Sequence, residues 1–402
     1  MSMLKYWIWL SSLSGIGPVT AKCLLDHFDN PEKIYSADRS DYLGVKGLNP
    51  KDIRYLMRKD LETSNRILAS CDETGCRVIT LQDALYPDRL KHIYDPPIVL
   101  YVKGNLPILD EEPVVGVVGT RNCTPYGLIT AENTGFELSR HGITVVTGLA
   151  LGVDTAATRG ALRGGTRVVG VIGSGPDVVY PPENKAIFED VAGSGAIISE
   201  YPPGTPAVRG NFPTRNRIIS GISIGVAVIE APKQSGALIT SSRAVEQGRD
   251  VFTLPGNVDA LSCEGSNALL RVGAIAFMSA ADIIDEYIDY YPGKILIKEQ
   301  TTDMSAQPEP NEHEQGQEID KKVIDNTPHV DYIDLGVILN ELNGDERTLA
   351  EMIGYGTLHI DEIIAGSAMP AEQVLPALTM LEIGGYAQRE INGKWKITAR
   401  VC

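Results

Sequence analysis

Phe212, Arg215, Asn216 and Arg217 fall within one stretch, NFPTRNRIISG (Asn211–Gly221), between two segments rich in glycine and proline. A guanidinium fork makes two parallel hydrogen bonds to a phosphate, and a neighbouring aromatic ring can stack on a base. The ring suits either a base or the protein core, and the rest of the sequence must decide between them. Pro213 biases Phe212 towards an extended backbone, so the ring is expected to leave a loop sideways and not to project from the buried face of a helix.

A second group lies upstream. In VVGVVGTRNCTPYG (Val114–Gly127) an apolar run ends in Gly119, Thr120 and Arg121, and a helix is expected to open near Tyr126. Backbone N–H groups of such a loop, with the helix N-terminus behind them, suit a phosphate that Arg121 can grip. The spacing is not that of a dinucleotide fingerprint, and no acid closes the next run, ITVVTG. Similar loops recur at TGLALGVDTAA with Gly148, at GVIGSGPDVVYPPEN with Gly173 and Ser174, at SEYPPGTP, and at EAPKQSGALIT with Lys233, Ser235 and Gly236. Arg209, Arg215 and Arg217 are expected beside Phe212 on the same edge. A basic groove with an aromatic platform is the usual design for single-stranded nucleic acid.

Catalysis there would need a base, a nucleophile or a metal. His27, His92, His141, His313, His329 and His359 all fall outside the glycine-rich loops. The carboxylates at predicted strand ends, Asp154, Glu200 and Glu230, are expected to cap helices or order loops. Cys263 has no histidine near it in sequence and is expected to be a buried thiol. The six cysteines form no C-x-x-C pair, so neither metal nor cofactor is expected. A Rossmann-like nucleoside monophosphate phosphoribohydrolase is the competing reading. APKQSGALITSSRAVEQG is similar to the helix start of those enzymes but lacks their paired glycines and the glutamate that should follow.

The elements that must position these loops have a consistent texture. Runs at 113–119, 143–148, 167–173, 195–200, 224–230 and 250–256 are nearly all apolar, as in strands buried on both faces. Helix-length stretches at Tyr126–Arg140, Thr155–Arg163, Glu183–Val191 and Ala237–Gln247 separate them. The alternation predicts an α/β fold with a doubly wound parallel sheet, an extended Rossmann-like unit over 71–298, whose ligand sits at the carboxyl ends of the strands. The first hundred residues read as helical. Leu13–Phe28 with Gly15 and Gly17, and Tyr42–Lys59 with Gly44 and Gly47, resemble helix-hairpin-helix units, which places a small helical domain at 1–70.

Residues 299–329 read as a flexible acidic linker, with seven acids and no Lys or Arg between Glu299 and Asp320. Residues 330–402 have the outline of a winged helix. Its presumed recognition helix, Pro370–Ile383, carries Glu372 and Glu382 and no Lys or Arg, while Arg389, Lys394, Lys396 and Arg400 lie in the wing. Partner docking or regulation is expected of it, not sequence-specific insertion into a major groove.

Across 402 residues, 36 Lys+Arg face 52 Asp+Glu, a net charge of −16. An acidic total argues against nucleic acid as a partner, yet residues 200–250 hold six basic residues against four acidic ones, a local basic island. No run approaches the roughly 20 apolar residues that span a bilayer. The apolar start, MSMLKYWIWLSSLSGIGP, lacks a clear cleavage site and is expected to be folded. A cytoplasmic protein with reduced thiols and no membrane partner is the expectation.

The ordered succession GTRNCTPYG, TGLALGVDTAAT, YPPEN, SEYPPGTP, NFPTRNRIISG, SGALIT, EQGRDVFTLPG and SNALLRVGA, spanning about residues 70–280, resembles the DNA-processing protein A family (DprA, also called Smf). The resemblance implies an extended Rossmann fold that binds single-stranded DNA, forms homodimers and delivers strands to the RecA recombinase during natural transformation, without catalysis of its own. It also implies a sterile-alpha-motif-like helical domain in front and a winged helix behind. It assigns Arg121 to the family's first-loop arginine, Phe212, Asn216 and Arg217 to its Phe and Arg-Asn-Arg element, and Arg209 to a position usually basic. It points to the end of the Rossmann unit for self-association, where Leu269, Leu270, Ile275 and Phe277 lie close together. Two departures stand out. Thr158 replaces a histidine of the family, removing the one candidate base in the pocket, and Ser266-Asn267 stands where Cys-Asn is common.

Overall fold

The computed structural model describes residues 3–296 and, with short gaps, 342–397; the linker expected at 299–329 lies outside the described residues. Two compact units divide the chain, Met1–Asp303 and Met304–Cys402.

The valine-rich runs form strands because both of their faces are covered. In order along the chain the strands are β1 (Cys76–Thr80), β2 (Val99–Gly104), β3 (Val114–Val118), β4 (Thr144–Thr147), β5 (Val168–Ile172), β6 (Ala196–Ser199), β7 (Gly225–Val228), β8 (Asp250–Thr253) and β9 (Ile275–Ala276). They make one sheet in the order β1-β2-β6-β5-β4-β3-β7-β8-β9. Every pairing from β6 to β9 is parallel, whereas β1–β2 and β2–β6 are antiparallel.

Alternate side chains of a strand enter different cores. Val115 and Val117 of β3 join Val145, Ile197 and Ala227 on one face, under the helices Pro125–Arg140, Val153–Gly164, Lys185–Ser194 and Ala280–Tyr287. Val114 and Val118 join Val146, Val169, Val171, Ile198 and Val226 on the other, under the helices Asn211–Ile222 and Gly236–Glu246. Close packing of the first layer depends on small residues. Added Cβ atoms at Gly135 and Gly160 would collide with the carbonyls of Ala157 and Glu132 on the facing helix.

The helical reading of the first hundred residues needs correction at 76–80 and 99–104, which are strands of the main sheet. CRVIT and VLYVKG are short, and their backbone hydrogen bonds are made only by antiparallel pairing, β2 with β6 and β1 with β2. Before them, six helices between Leu4 and Thr74 surround Trp7, Trp9, Leu10, Leu24, Tyr42 and Leu56. That core continues into Cys76, Ile98, Val99 and Tyr101, so the helical segment packs on the sheet. Lys59 plugs it. Its Nζ lies 5.4 Å from the Trp9 and Tyr35 ring centres and 5.0 Å from that of Tyr42, and donates to the carbonyls of Ile34 (3.2 Å) and Ala37 (3.1 Å).

The second unit holds the helices Gly344–Ile353, Ile360–Gly366 and Ala371–Ile383 with β10 (Thr357–His359), β11 (Ala387–Arg389) and β12 (Lys394–Ile397), paired in the order β10-β12-β11. Leu349, Ile363, Val374, Leu378, Leu381 and Trp395 form its core. This is the winged helix of the sequence outline; residues 391–393, between the wing strands, and Arg400 lie outside the described residues.

Candidate nucleic-acid interface

From β3 the chain winds outward through β4, β5 and β6, and from β7 it winds the other way through β8 to β9. Loops leaving the carboxyl ends of β3 and β7 therefore part, and a crevice opens between them. Here it is a groove of about 670 Å³ walled by Gly119–Asn122, Tyr180, Arg209, the start of the helix Asn211–Ile222 and the start of the helix Gly236–Glu246.

Buried carboxylates order its loops. The Thr120 N–H donates to the carbonyl of Glu230 (2.7 Å), tying the two loops together. The Glu230 carboxylate accepts from the Thr124 N–H (2.9 Å) and hydroxyl (2.6 Å), and Thr124 in turn caps the helix Pro125–Arg140. Asp154 accepts from the N–H groups of Gly148 (3.0 Å) and Ala150 (3.3 Å). Burial pushes its carboxyl up to about 6, against the opposing pull of Arg215, these N–H groups and Arg121.

The floor is Arg215, 4% exposed, whose guanidinium donates to the Val171 carbonyl. Its Nε–H has no partner, and among the described residues it belongs to no ion pair within 4 Å. Burial pulls its pKa down to about 10, partly offset by Asp154, so it remains charged at neutral pH. Gly148 separates the two groups. A Cβ there would stand 2.5 Å from Nη1 of Arg215 and 2.7 Å from Oδ2 of Asp154, so only glycine lets both approach this backbone. A buried guanidinium that stays charged, lines the floor of an open groove and has no ion pair among the described residues is a seat for an anion.

At the rim, Arg121 and Arg209 are exposed. The Arg121 guanidinium lies 5.5 Å from the Phe212 ring centre, and the Tyr180 ring lies 5.4 Å from it at an interplanar angle of 40°. Ser235 caps the helix Gly236–Glu246 by accepting from the Ala237 N–H (3.2 Å), and Asn216 donates to the Gly236 carbonyl (3.2 Å), joining the two helices that flank the groove. No histidine lines the groove among the described residues, and no group of three or more His, Cys, Asp or Glu is placed to hold a metal ion.

The structure brings together Gly119, Thr120, Arg121, Arg209, Phe212, Arg215, Asn216, Ser235 and Gly236. Gly148 supports the floor, and Gly173 backs Phe212, whose Cδ1 is 3.3 Å from where a Cβ would stand. Other expectations are corrected. Phe212 is helical, the second residue of Asn211–Ile222. Pro213 is accommodated because a helix's first turn needs no N–H there, and Asn211 holds the turn by donating to the Gly173 carbonyl (2.9 Å).

Arg217 is outside the groove. It is 2% exposed in its side chain, held by Glu200 (2.7 Å) and Asp95 (3.2 Å), and lines a separate cavity with them. Burial alone would lower its pKa, and the two carboxylates outweigh that and raise it. Ser174 spends its hydroxyl on the Val178 carbonyl (3.0 Å), and Lys233 lies 3.4 Å from Glu264.

Thr158 is fully buried against Thr147 (2.9 Å) beneath the floor. Ser266 is also buried, and Asn267 pins Gly256. Phe277 is fully buried in the sheet's core and offers no free docking surface, and Leu269 is half-buried with its side chain packed against the opposite face. Leu270 is half-buried and Ile275 is 37% exposed. Sequence reasoning passed over Tyr180, which sits inside the motif YPPEN on the loop after β5; a tyrosine in a loop leaving a strand's carboxyl end was the available signal.

Known proteins are similar to this chain over each of its three segments. The family model described as DNA recombination-mediator protein A matches residues 77–288, a DprA winged helix domain matches 338–393, and a SAM-like helix-hairpin-helix tandem matches 10–58. The chain is 40% identical over 285 residues to Protein Smf of Synechocystis sp., covering 69% of this chain and 71% of that one. It is 43% identical over 289 residues to the DNA processing protein DprA of Streptococcus pneumoniae, covering 71% and 99%. The solved structure of DNA processing protein A from Streptococcus pneumoniae is similar with a TM-score of 0.63 and 33% identity, covering 71% of this chain and 99% of that one.

Proposed function

The chain belongs to the DNA recombination-mediator protein A family (DprA, Smf), and from that premise we propose that it binds single-stranded DNA in the groove between β3 and β7 and hands the strand to the RecA recombinase. The observation that carries the reading is Arg215, a buried and charged guanidinium lining the groove floor under a rim of two exposed arginines and two aromatic rings. Phosphates neutralise the arginines, and unpaired bases reach rings that duplex DNA would hold at a distance.

Self-association through the β9 edge belongs to the same reading. β9 ends the sheet, and around it Val258, Leu261, Val272, Ile275 and Met278 are exposed. Phe277 is buried and Leu269 packs inward, so these exposed side chains are the surface a second copy would cover. Delivery to RecA rests on family membership.

Equilibrium titration of the full chain with a labelled oligonucleotide, single-stranded against duplex of the same sequence, tests the reading. Preference for the single strand supports it, and equal or stronger binding of the duplex overturns it. RecA filament growth on the same strand, with and without the protein, tests the hand-over.

A further inference from the structure

We infer that the aromatic surface offered to a base in this groove is Tyr180, with Phe212 acting as the positioning residue behind it; the inference rests on the single-strand reading above and refines it. Phe212 is already engaged. Its half-buried ring meets the Tyr180 ring, the Arg121 guanidinium and the backbone at Gly173. Tyr180 is 41% exposed and lines the same groove. A base joining this row finds its free area on the tyrosine.

The ring is also held in place beforehand. On one side of Tyr180 its loop is tied by the Gly175 N–H to the Thr205 carbonyl (2.8 Å), the Val178 N–H to the Gly175 carbonyl (2.9 Å) and the Ser174 hydroxyl to the Val178 carbonyl (3.0 Å). On the other side Asn184 donates to the Leu149 carbonyl (3.0 Å) and to the Thr155 hydroxyl (2.8 Å), anchoring the loop to the segment that carries Asp154. A ring on such a loop, braced by a second ring tilted 40° against it, stacks without first having to be ordered. Arg121, exposed in the same groove with its guanidinium 5.5 Å from the Phe212 ring centre, would take the phosphate of the nucleotide whose base stacks.

The test uses the full chain and two single strands of one sequence, one intact and one with abasic sites throughout its central nucleotides. Wild type is expected to bind the intact strand about 5- to 150-fold more tightly, the worth of one stacked base. Tyr180→Ala should bind both strands alike, at about the wild-type affinity for the abasic strand, with an unchanged salt dependence. Tyr180→Phe should restore the discrimination, because the ring and not the hydroxyl supplies it. Tyr180→Ala that still discriminates, or that weakens on both strands equally, overturns the inference, as does a wild type indifferent to abasic sites. A wild type that binds neither strand overturns the single-strand reading and this inference with it.

Discussion

Arg215 and Arg217 stand two residues apart on one helix and face different worlds: Arg215 lies under the groove without an ion pair, while Arg217 is clasped by Glu200 and Asp95. Two residues are about 200° of helical rotation, so a pair adjacent in sequence is nearly opposite in space. One guanidinium awaits an anion, and the other has two.

Salt dependence should separate them. Contacts from Arg121, Arg209 and Arg215 give an expected slope of log K against log[salt] near −2, at roughly −0.7 for each phosphate on a single strand. Arg121→Ala should make the slope shallower by about that amount and weaken binding to all sequences alike. Arg217→Met should leave the slope unchanged and cost about 3 kcal/mol of stability, the low end for a broken buried pair because Glu200 and Asp95 keep 20% and 28% of their side-chain exposure. A shallower slope in the stable fraction of Arg217→Met would return that residue to the groove.

Asp154 should make binding depend on acidity. Its carboxyl is pushed up to about 6, so it is ionised at pH 7 and becomes neutral as pH falls through 6. Loss of that negative charge beside Arg215 should raise single-strand affinity below pH 6, and Asp154→Asn should flatten the profile. The stability linkage has the same origin. A raised folded pKa gives a contribution fully present below the unfolded value, ~3.9, and lost as pH rises through about 6. Titrations at several pH values in one buffer series check the first effect, and urea melts of both proteins the second.

Lys59 has the opposite sense. Burial lowers its pKa to about 8, so between pH 8 and roughly 10.4 the unfolded chain binds the extra proton and stability rises with pH. Lys59→Met should remove that rise, measured as the difference between the two proteins' denaturation midpoints across this window.

Phe212→Ala should weaken single-strand binding by about 1–3 kcal/mol, because Tyr180 and Arg121 both rest on the ring. The melting temperature should change little, since the ring is half-buried in the first turn of its helix. A loss near the 3–5 kcal/mol of a core phenylalanine would show that the ring holds the fold.

The β9 edge is tested by charge. Val272→Glu adds a carboxylate at a side chain 81% exposed, where it should not disturb the sheet. Sedimentation should show a dimer of the full chain at micromolar concentration and a monomer of the variant. Dimerisation unaffected by Val272→Glu, and equally by Met278→Glu, would place self-association elsewhere.

Local pattern alone was enough for six of the seven parallel strands, β3 to β8. A strand buried on both faces must be apolar at every position, and runs such as VVGVV and VVGVI announce that without reference to anything distant. The loops at their ends were legible for the same reason, because glycine, serine and arginine directly after such a run leave few other roles. Folding was needed to decide which side of a helix each arginine takes, since Arg217's partners are 17 and 122 residues away. It also decided that β1 and β2 are strands, through pairing of β2 with β6 and of β1 with β2, and that Phe277 is core while Val272 is surface. Tyr180 and Phe212, 32 positions apart, become one aromatic surface only because the segments after β5 and β6 meet at the same edge of the sheet. Residue type and spacing act over a turn or a strand; burial and pairing depend on what the whole chain brings alongside.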